Sequence, residues 1–192
     1  MYTEFEATFP KINKSAFRVK LKSVGAKLVR KEYLQRRVVF KLPTGHEING
    51  GWARVRDEGN KITMSLKVVD GNKIENQKEI QVVVDNFESA VDFLVTTGFR
   101  KKAYQETKRE VWQLDNVEIT IDEWPFLEPF VEIEGKSEEE VKNVALLLGF
   151  DYSNAVFGAV DVLYSEKYNI STDRINNNTP EILFNGENPF LG

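Results

Sequence analysis

The chain has 192 residues, 41% hydrophobic and 29% charged, enough for one sizeable core. It has no apolar run of about 18 residues to span a membrane, no secretory leader in MYTEFEATF and no cysteine, which excludes disulfides, thiolate metal sites and cysteine nucleophiles. The 30 acids and 26 bases give a net charge of -4, which does not suit a nucleic-acid binder, and the single histidine, His46, sits in a Pro-Thr-Gly turn as a solvated loop residue rather than a catalytic base.

Tyr2 to Phe9 alternates, with Glu4, Glu6 and Thr8 on one face and Phe5, Ala7 and Phe9 on the other, which predicts a half-buried strand ended by Pro10. Residues 11–24 space Ile12, Ala16, Phe17, Val19, Leu21 and Val24 as an amphipathic helix, with Gly25 as its stop. Residues 26–42 read as one long basic strand ending at Pro43-Thr44-Gly45. Trp52, Arg54 and Arg56 share a face of the next strand, and Asp57-Glu58-Gly59-Asn60 is a hairpin turn. Lys61 to Val69 then sets Thr63, Ser65 and Lys67 against Met64, Leu66 and Val68. After Asp70-Gly71-Asn72, the strand over residues 77–84 groups Gln77, Glu79 and Gln81.

Asn86 caps a helix whose predicted apolar stripe is Phe87, Ala90, Val91, Phe93, Leu94 and Val95, ending at Gly98. Residues 100–114 form a long strand with Thr107, Arg109 and Val111 opposite Lys108, Glu110 and Trp112. Two strands flank a Trp-Pro-Phe-Leu-Glu-Pro turn. In the first, Val117, Ile119 and Ile121 alternate with Glu118, Thr120 and Asp122; in the second, Phe130, Glu132 and Glu134 oppose Val131 and Ile133. Ser137 and Glu140 have capping-box spacing before a helix with Val141, Val144, Ala145 and Leu148 on its apolar face. Residues 151–168 read as a helix broken at Gly158, and residues 169–192 as an irregular polar tail that folds back through Ile182, Leu183, Phe184, Phe190 and Leu191. Phe5, Phe9, Phe93 and Trp112 are expected in the core; Trp52, which shares the parity of Arg54, is left open between the core and a mouth of the tunnel, and Lys167 and Tyr168 are candidates to reach it.

About eight strands joined by short turns, with helices after the first, fifth and last, predict an α+β fold. It is an eight-stranded antiparallel β-barrel with flanking helices, formed by residues 1–168, with 169–192 packed on it. Such a bore admits one small ligand. An inward charged face cannot be a dry core; it must hold water, ions or a charged ligand. The inward bases are Arg54, Arg56, Lys67 and Arg109, with Arg30 or Lys31 as further candidates, and the acids are Glu4, Glu6, Glu79, Asp122, Glu132 and Glu134. Hard oxygen ligands suit Mg²⁺ or Mn²⁺, and guanidinium forks suit phosphate oxygens. Together they predict a polyphosphate site for phosphoryl transfer. No Gly-x-x-x-x-Gly-Lys-Ser/Thr loop and no Gly-x-Gly-x-x-Gly is present.

The ordered set resembles the CYTH family, the triphosphate tunnel metalloenzymes, which includes class IV adenylate cyclases, thiamine triphosphatases and inorganic triphosphatases. Glu4-Phe5-Glu6-Ala7-Thr8 resembles its opening Glu-x-Glu-x-Lys, Arg54-Val55-Arg56 its Arg-x-Arg, and Lys67 and Glu79 its next basic and acidic positions. Thr107-Lys108-Arg109 resembles a Lys-x-Arg, Asp122 the following aspartate, and Glu132-Ile133-Glu134 the closing Glu-x-Glu. The Trp124-Pro125 turn before Phe130 to Gly135 is similar to a cyclase-like bacterial branch. The resemblance implies that Glu4, Glu6, Glu132 and Glu134, helped by Asp122, bind Mg²⁺ or Mn²⁺, while Arg54, Arg56, Lys67 and Arg109, with Glu79 among them, form the substrate-binding set.

Two positions depart from the pattern. Thr8 and Thr107 stand where the family carries lysines, and Lys108 has the wrong strand parity to substitute. Each lost contact weakens triphosphate binding by about 1.5–3 kcal/mol. Three functions stay open: a metal-dependent phosphohydrolase acting on inorganic triphosphate or a small organic triphosphate; an adenylate cyclase releasing cyclic AMP and pyrophosphate; or a binder of phosphorylated ligands without turnover. A fourth, blander possibility is a barrel with a merely solvated polar interior. The expected partner is a small-molecule triphosphate or nucleotide, with no nucleic acid and no membrane, in a cytoplasmic monomer or homodimer.

Overall fold

The computed structural model describes residues 1–191. Its strands are β1 (Tyr2–Thr3), β2 (Phe5–Phe9), β3 (Lys27–Lys41), β4 (Gly51–Asp57), β5 (Ile62–Val69), β6 (Gln77–Val84), β7 (Arg100–Leu114), β8 (Val117–Glu123), β9 (Phe130–Gly135) and β10 (Glu181–Ile182). Its helices are α1 (Lys14–Ser23), α2 (Phe87–Thr96), α3 (Glu138–Leu148), α4 (Asp161–Tyr168) and α5 (Thr172–Asn177). The strand order is β1-β6-β5-β4-β3-β7-β8-β9-β2, antiparallel at every step.

The two ends of that order are one stretch of chain, so the sheet closes. β1 pairs with β6 through Tyr2↔Glu79, and β2 pairs with β9 through Phe5↔Gly135. The expected single strand from Tyr2 to Phe9 is therefore broken at Glu4, whose N–H donates to the Gln77 carbonyl at 2.9 Å. The break follows from strand tilt: a stave that slants across a barrel leaves one neighbour and meets the next partway along. Counting β1 and β2 as one stave, the barrel has the eight staves expected.

The outward faces are apolar and carry the helices. Ala7, Phe9, Ile119, Ile121, Val131 and Ile133 pack under Phe17 and Leu21 of α1 and Val141, Ala145 and Leu148 of α3. Val38, Phe40, Ala53 and Val55 pack under Phe87, Ala90, Val91 and Leu94 of α2. Those four α2 positions are spaced i, i+3, i+4, i+7 and complete the buried stripe, which leaves Phe93 off it and 59% exposed, contrary to its expected core position. The three helices packed on the barrel start where the sequence sets a cap. Asn13 accepts from the Ala16 N–H at 3.0 Å, Asn86 from Ser89 at 2.8 Å and Ser137 from Glu140 at 3.3 Å. The Glu140 carboxylate accepts from Lys136 N–H, one residue before the position a capping box uses.

The expected helix over residues 151–168 is shorter. Asp151 turns the chain by accepting from Ser153 N–H at 2.9 Å, and Val156 exchanges both backbone hydrogen bonds with Thr8, leaving it no N–H or C=O for a helix. Only Asp161–Tyr168 is α-helical, after a single 3₁₀ turn at Tyr152–Asn154. The tail is likewise more regular than expected. After α5, β10 pairs parallel with β7 through Glu181↔Tyr104, and Ile175, Ile182 and Phe190 are buried against Trp124, Phe130, Leu163 and Tyr164. Leu191 stays 70% exposed. No helix among the described residues is long and apolar enough to cross a membrane.

Candidate active site: a charged tunnel

Alternation along each stave sends one set of side chains into the bore, which encloses a cavity of about 730 Å³. The bore has two walls of opposite charge. Staves β4, β3 and β7 contribute Arg54, Arg56, Arg37 and Arg109; staves β2, β8 and β9 contribute Glu6, Glu118, Glu132 and Glu134. The walls meet at two seams. At one, Arg109 Nε donates to Asp122 Oδ1 at 2.7 Å and its Nη2 pairs with Glu132. At the other, Arg54 Nη2 donates to Glu79 at 3.1 Å and Lys67 Nζ lies 2.8 Å from Glu4. The sequence-predicted residues Glu4, Glu6, Arg54, Arg56, Lys67, Glu79, Arg109, Glu132 and Glu134 all line this one cavity. Asp122 does not. It is fully buried behind Arg109, with Thr120 Oγ1 donating to its second oxygen, so it orients the guanidinium rather than facing the bore.

Other expectations are corrected. Arg30 lies over the Tyr33 ring and donates to the Glu58 carbonyl and Asn60 at the β4–β5 turn, and Lys31 is exposed; neither lines the bore. Lys167 pairs with Glu128 at 2.9 Å and Tyr168 donates to the Phe126 carbonyl at 2.7 Å, both away from the cavity. The end of the cavity near Trp124 is lined instead by Asp161, Tyr164, Asn176 and Ile182 of the C-terminal segment. Trp52 lines the cavity where β4 begins.

Glu118 and Arg37 are among the bore residues that were missed. Glu118 faces Glu134 across β8 and β9 and lines the cavity. Arg37 of β3 is buried, donates from Nη2 to Gln35 Oε1 at 3.0 Å and Thr107 Oγ1 at 2.5 Å, and lies 4.7 Å over the Trp124 ring. The signal for Arg37 was its neighbours. Val38 and Phe40 face the α2 core, so Arg37 must face the bore, while adjacent Arg36 points out to Asp57.

Burial sets the protonation states. It pushes Glu4 up to about 7, and the hydrogen bond shared with Glu79 adds to this. Burial also acts upward on Glu79, but its interaction with Glu4, together with Lys67 and Arg54, holds it down at about 2, so the two carboxyls titrate as a pair. Burial first, and then Glu132, push Glu6 well above the usual carboxylate range; burial and then Glu118 push Glu134 up. Against the pull of burial, Asp122 and Glu132 hold Arg109 protonated.

A stability trend follows. Glu4 is raised from 4.5 to about 7 on folding, so the folded state holds its proton more tightly, and stability falls as pH rises through that window. Glu79, held low, works in the opposite sense only below about 4.5. At about 1.4 kcal/mol per pKa unit, Glu4 destabilises by at most ~3 kcal/mol once ionised. In metal-free buffer, Tm is expected to fall between about pH 5 and about pH 8, and Glu4→Gln is expected to flatten the slope. A Tm that rises across this range in both proteins would contradict the assignment.

The acidic wall fits a cation. Glu134 has Glu6 directly opposite it on one neighbouring strand and Glu118 on the other. Like charges so placed repel. Among the described residues, Glu6, Glu118 and Glu134 make no ion pair with the protein's own bases. Their donor atoms are all carboxylate oxygens, the chemistry of a hard divalent ion. Among the described residues no three such side chains already stand in metal-binding geometry; Glu4 and Glu132 are turned to Lys67 and Arg109.

A closed antiparallel barrel, apolar outside and split within into acidic and basic walls, defines an ion-lined tunnel protein. The chain belongs to the CYTH domain family, whose model matches residues 4–148. No curated protein matches it in sequence. Among solved structures it is similar to a conserved hypothetical protein from Pyrococcus furiosus, with 26% identity over 79% of this chain and 94% of that one and a TM-score of 0.66. Its fold is also similar to that of a candidate adenylate cyclase from Vibrio parahaemolyticus (14% identity, 85% and 98% covered, TM-score 0.72). A third is an adenylyl cyclase candidate from Hippeastrum described as having a dominant triphosphatase activity (17% identity, 85% and 96% covered, TM-score 0.58).

Proposed function

We propose that this chain is a divalent-metal-dependent phosphohydrolase that splits inorganic triphosphate, or a small organic triphosphate, inside the tunnel. The observation that carries this reading is the pairing of walls: carboxylates without cationic partners face guanidinium groups across one enclosed bore. Glu6, Glu132 and Glu134, with Glu4, are the residues to hold Mg²⁺ or Mn²⁺. When bound, the ion supplies charge neutralisation and polarises the phosphate oxygens. Arg54, Arg56, Lys67 and Arg109 take the phosphate oxygens, as charge-assisted donors in a low-dielectric bore. Asp122 and Glu79 aim Arg109 and Arg54.

The test is phosphate release from tripolyphosphate with Mg²⁺ or Mn²⁺. Glu134→Gln is expected to lower the rate by about 100-fold or more, with the fold retained. Folded protein that releases no phosphate with either metal sinks the reading. A second reading, adenylate cyclase, is favoured by room: the 730 Å³ cavity extends past the charged walls to Val39, Trp52 and Ala103, apolar surface that an inorganic triphosphate does not use. Cyclic AMP and pyrophosphate, rather than phosphate, from ATP would select it.

A further inference from the structure

The geometry points to Arg37 as a phosphate-binding residue of the tunnel, supplying from β3 the positive charge that β7 lacks at Thr107. This rests on the triphosphate reading above and names one more residue of that same site.

Arg37 differs from the other arginines of its wall. Arg54 is paired with Glu79, Arg56 with Glu58, and Arg109 with Asp122 and Glu132. Among the described residues, Arg37 has no carboxylate partner; its Nη2 meets only the neutral oxygens of Gln35 and Thr107, while its Nε, like those of Arg54 and Arg56, is buried with no acceptor. A guanidinium enclosed without a counter-charge is costly, more so beside others of like sign. Burial first, and then Arg54, Arg56 and Arg109, all act against its charge. An anion in the bore would remove that penalty.

The group is also held still. The Thr107 hydroxyl donates to Gln35 Oε1 at 3.0 Å and accepts from Arg37, so the three side chains form a closed bracket, and Trp124 backs the guanidinium plane. Gln35 is the residue directly opposite Thr107 in the β3–β7 ladder; Arg37 lies two residues further along the same face and reaches back. Thr107 thereby positions a cation from the neighbouring stave instead of carrying one. A fork fixed in advance loses little freedom on binding phosphate.

The experiment is calorimetric titration of the full chain with inorganic tripolyphosphate at constant ionic strength, with and without Mg²⁺. Arg37→Gln is expected to weaken binding by about 10- to 100-fold. Adding Thr107→Lys to Arg37→Gln is expected to recover most of that loss, which a packing role could not produce. Arg54→Gln serves as the comparison. If Arg37→Gln binds as the unchanged protein does while Arg54→Gln loses affinity, Arg37 only packs on Trp124 and the inference falls while the triphosphate reading stands. A folded double variant that recovers nothing also overturns it. If the unchanged protein does not bind tripolyphosphate, the reading of the tunnel fails and takes the inference with it. Should Arg37→Gln not fold, Arg37→Lys keeps the charge but not the fork, and its affinity is expected to fall between; unchanged affinity would show that the fork is not used.

Discussion

Arg109→Met is expected to destabilise the protein by about 3–5 kcal/mol, the largest effect of any single tunnel substitution. Arg109 neutralises two acids at once, Asp122 through Nε at 2.7 Å and Glu132 through Nη2. Asp122 is fully buried, so once Arg109 is gone no water replaces the lost partner, and the carboxyl must protonate or remain an uncompensated charge. The loss is thus a desolvation penalty left behind, not the worth of the ion pair itself. Arg109→Met combined with Asp122→Asn should therefore be clearly more stable than Arg109→Met alone. Urea unfolding of the three proteins measures this. A change below about 1 kcal/mol for Arg109→Met would show that the seam between the walls is open to solvent.

The second large effect is on the C-terminal segment. Ending the chain at Tyr168 removes Ile175, Ile182 and Phe190, each buried against the cluster that includes Trp124 and Tyr164. At about 1.5–3 kcal/mol for each buried apolar side chain, the loss sums to ~5–9 kcal/mol, comparable to the whole stability of an ordinary domain. The truncated chain is expected to lack a cooperative unfolding transition. Phe190→Ala alone is expected to lower stability by about 3–5 kcal/mol. If residues 1–168 unfold with the midpoint of the full chain, the segment is a dispensable appendage.

Much of the tunnel was legible in the sequence because strand parity is a two-fold code. Glu132 and Glu134 had to share a face opposite Val131 and Ile133, and Arg54 and Arg56 a face opposite Ala53 and Val55. What parity leaves open is depth. Asp122 and Arg109 share the bore-facing phase, yet one lies behind the other, because depth depends on which longer side chain covers the shorter. Parity likewise says nothing about reach between staves, which is how Arg37 came to stand at Thr107. Phe93 was misplaced for another reason. Six apolar residues in ten make α2 apolar nearly all round, so only the position of the barrel decides which four are covered. Residues 151–160 misled because their apolar side chains are compatible with a helix, whereas their backbone is committed to a distant partner, Thr8.

The split first stave has a consequence for how the molecule assembles. Its two halves zip onto partners more than seventy and more than one hundred residues downstream, Glu79 and Gly135. The stave stays unpaired on one side until Glu79 and on the other until Gly135 has been made, and such distant pairings form slowly. Glu4 is the join between the two zippers and also a wall of the bore. No partly folded intermediate can therefore own a working binding site. Ligand recognition and completion of the fold become a single all-or-none event.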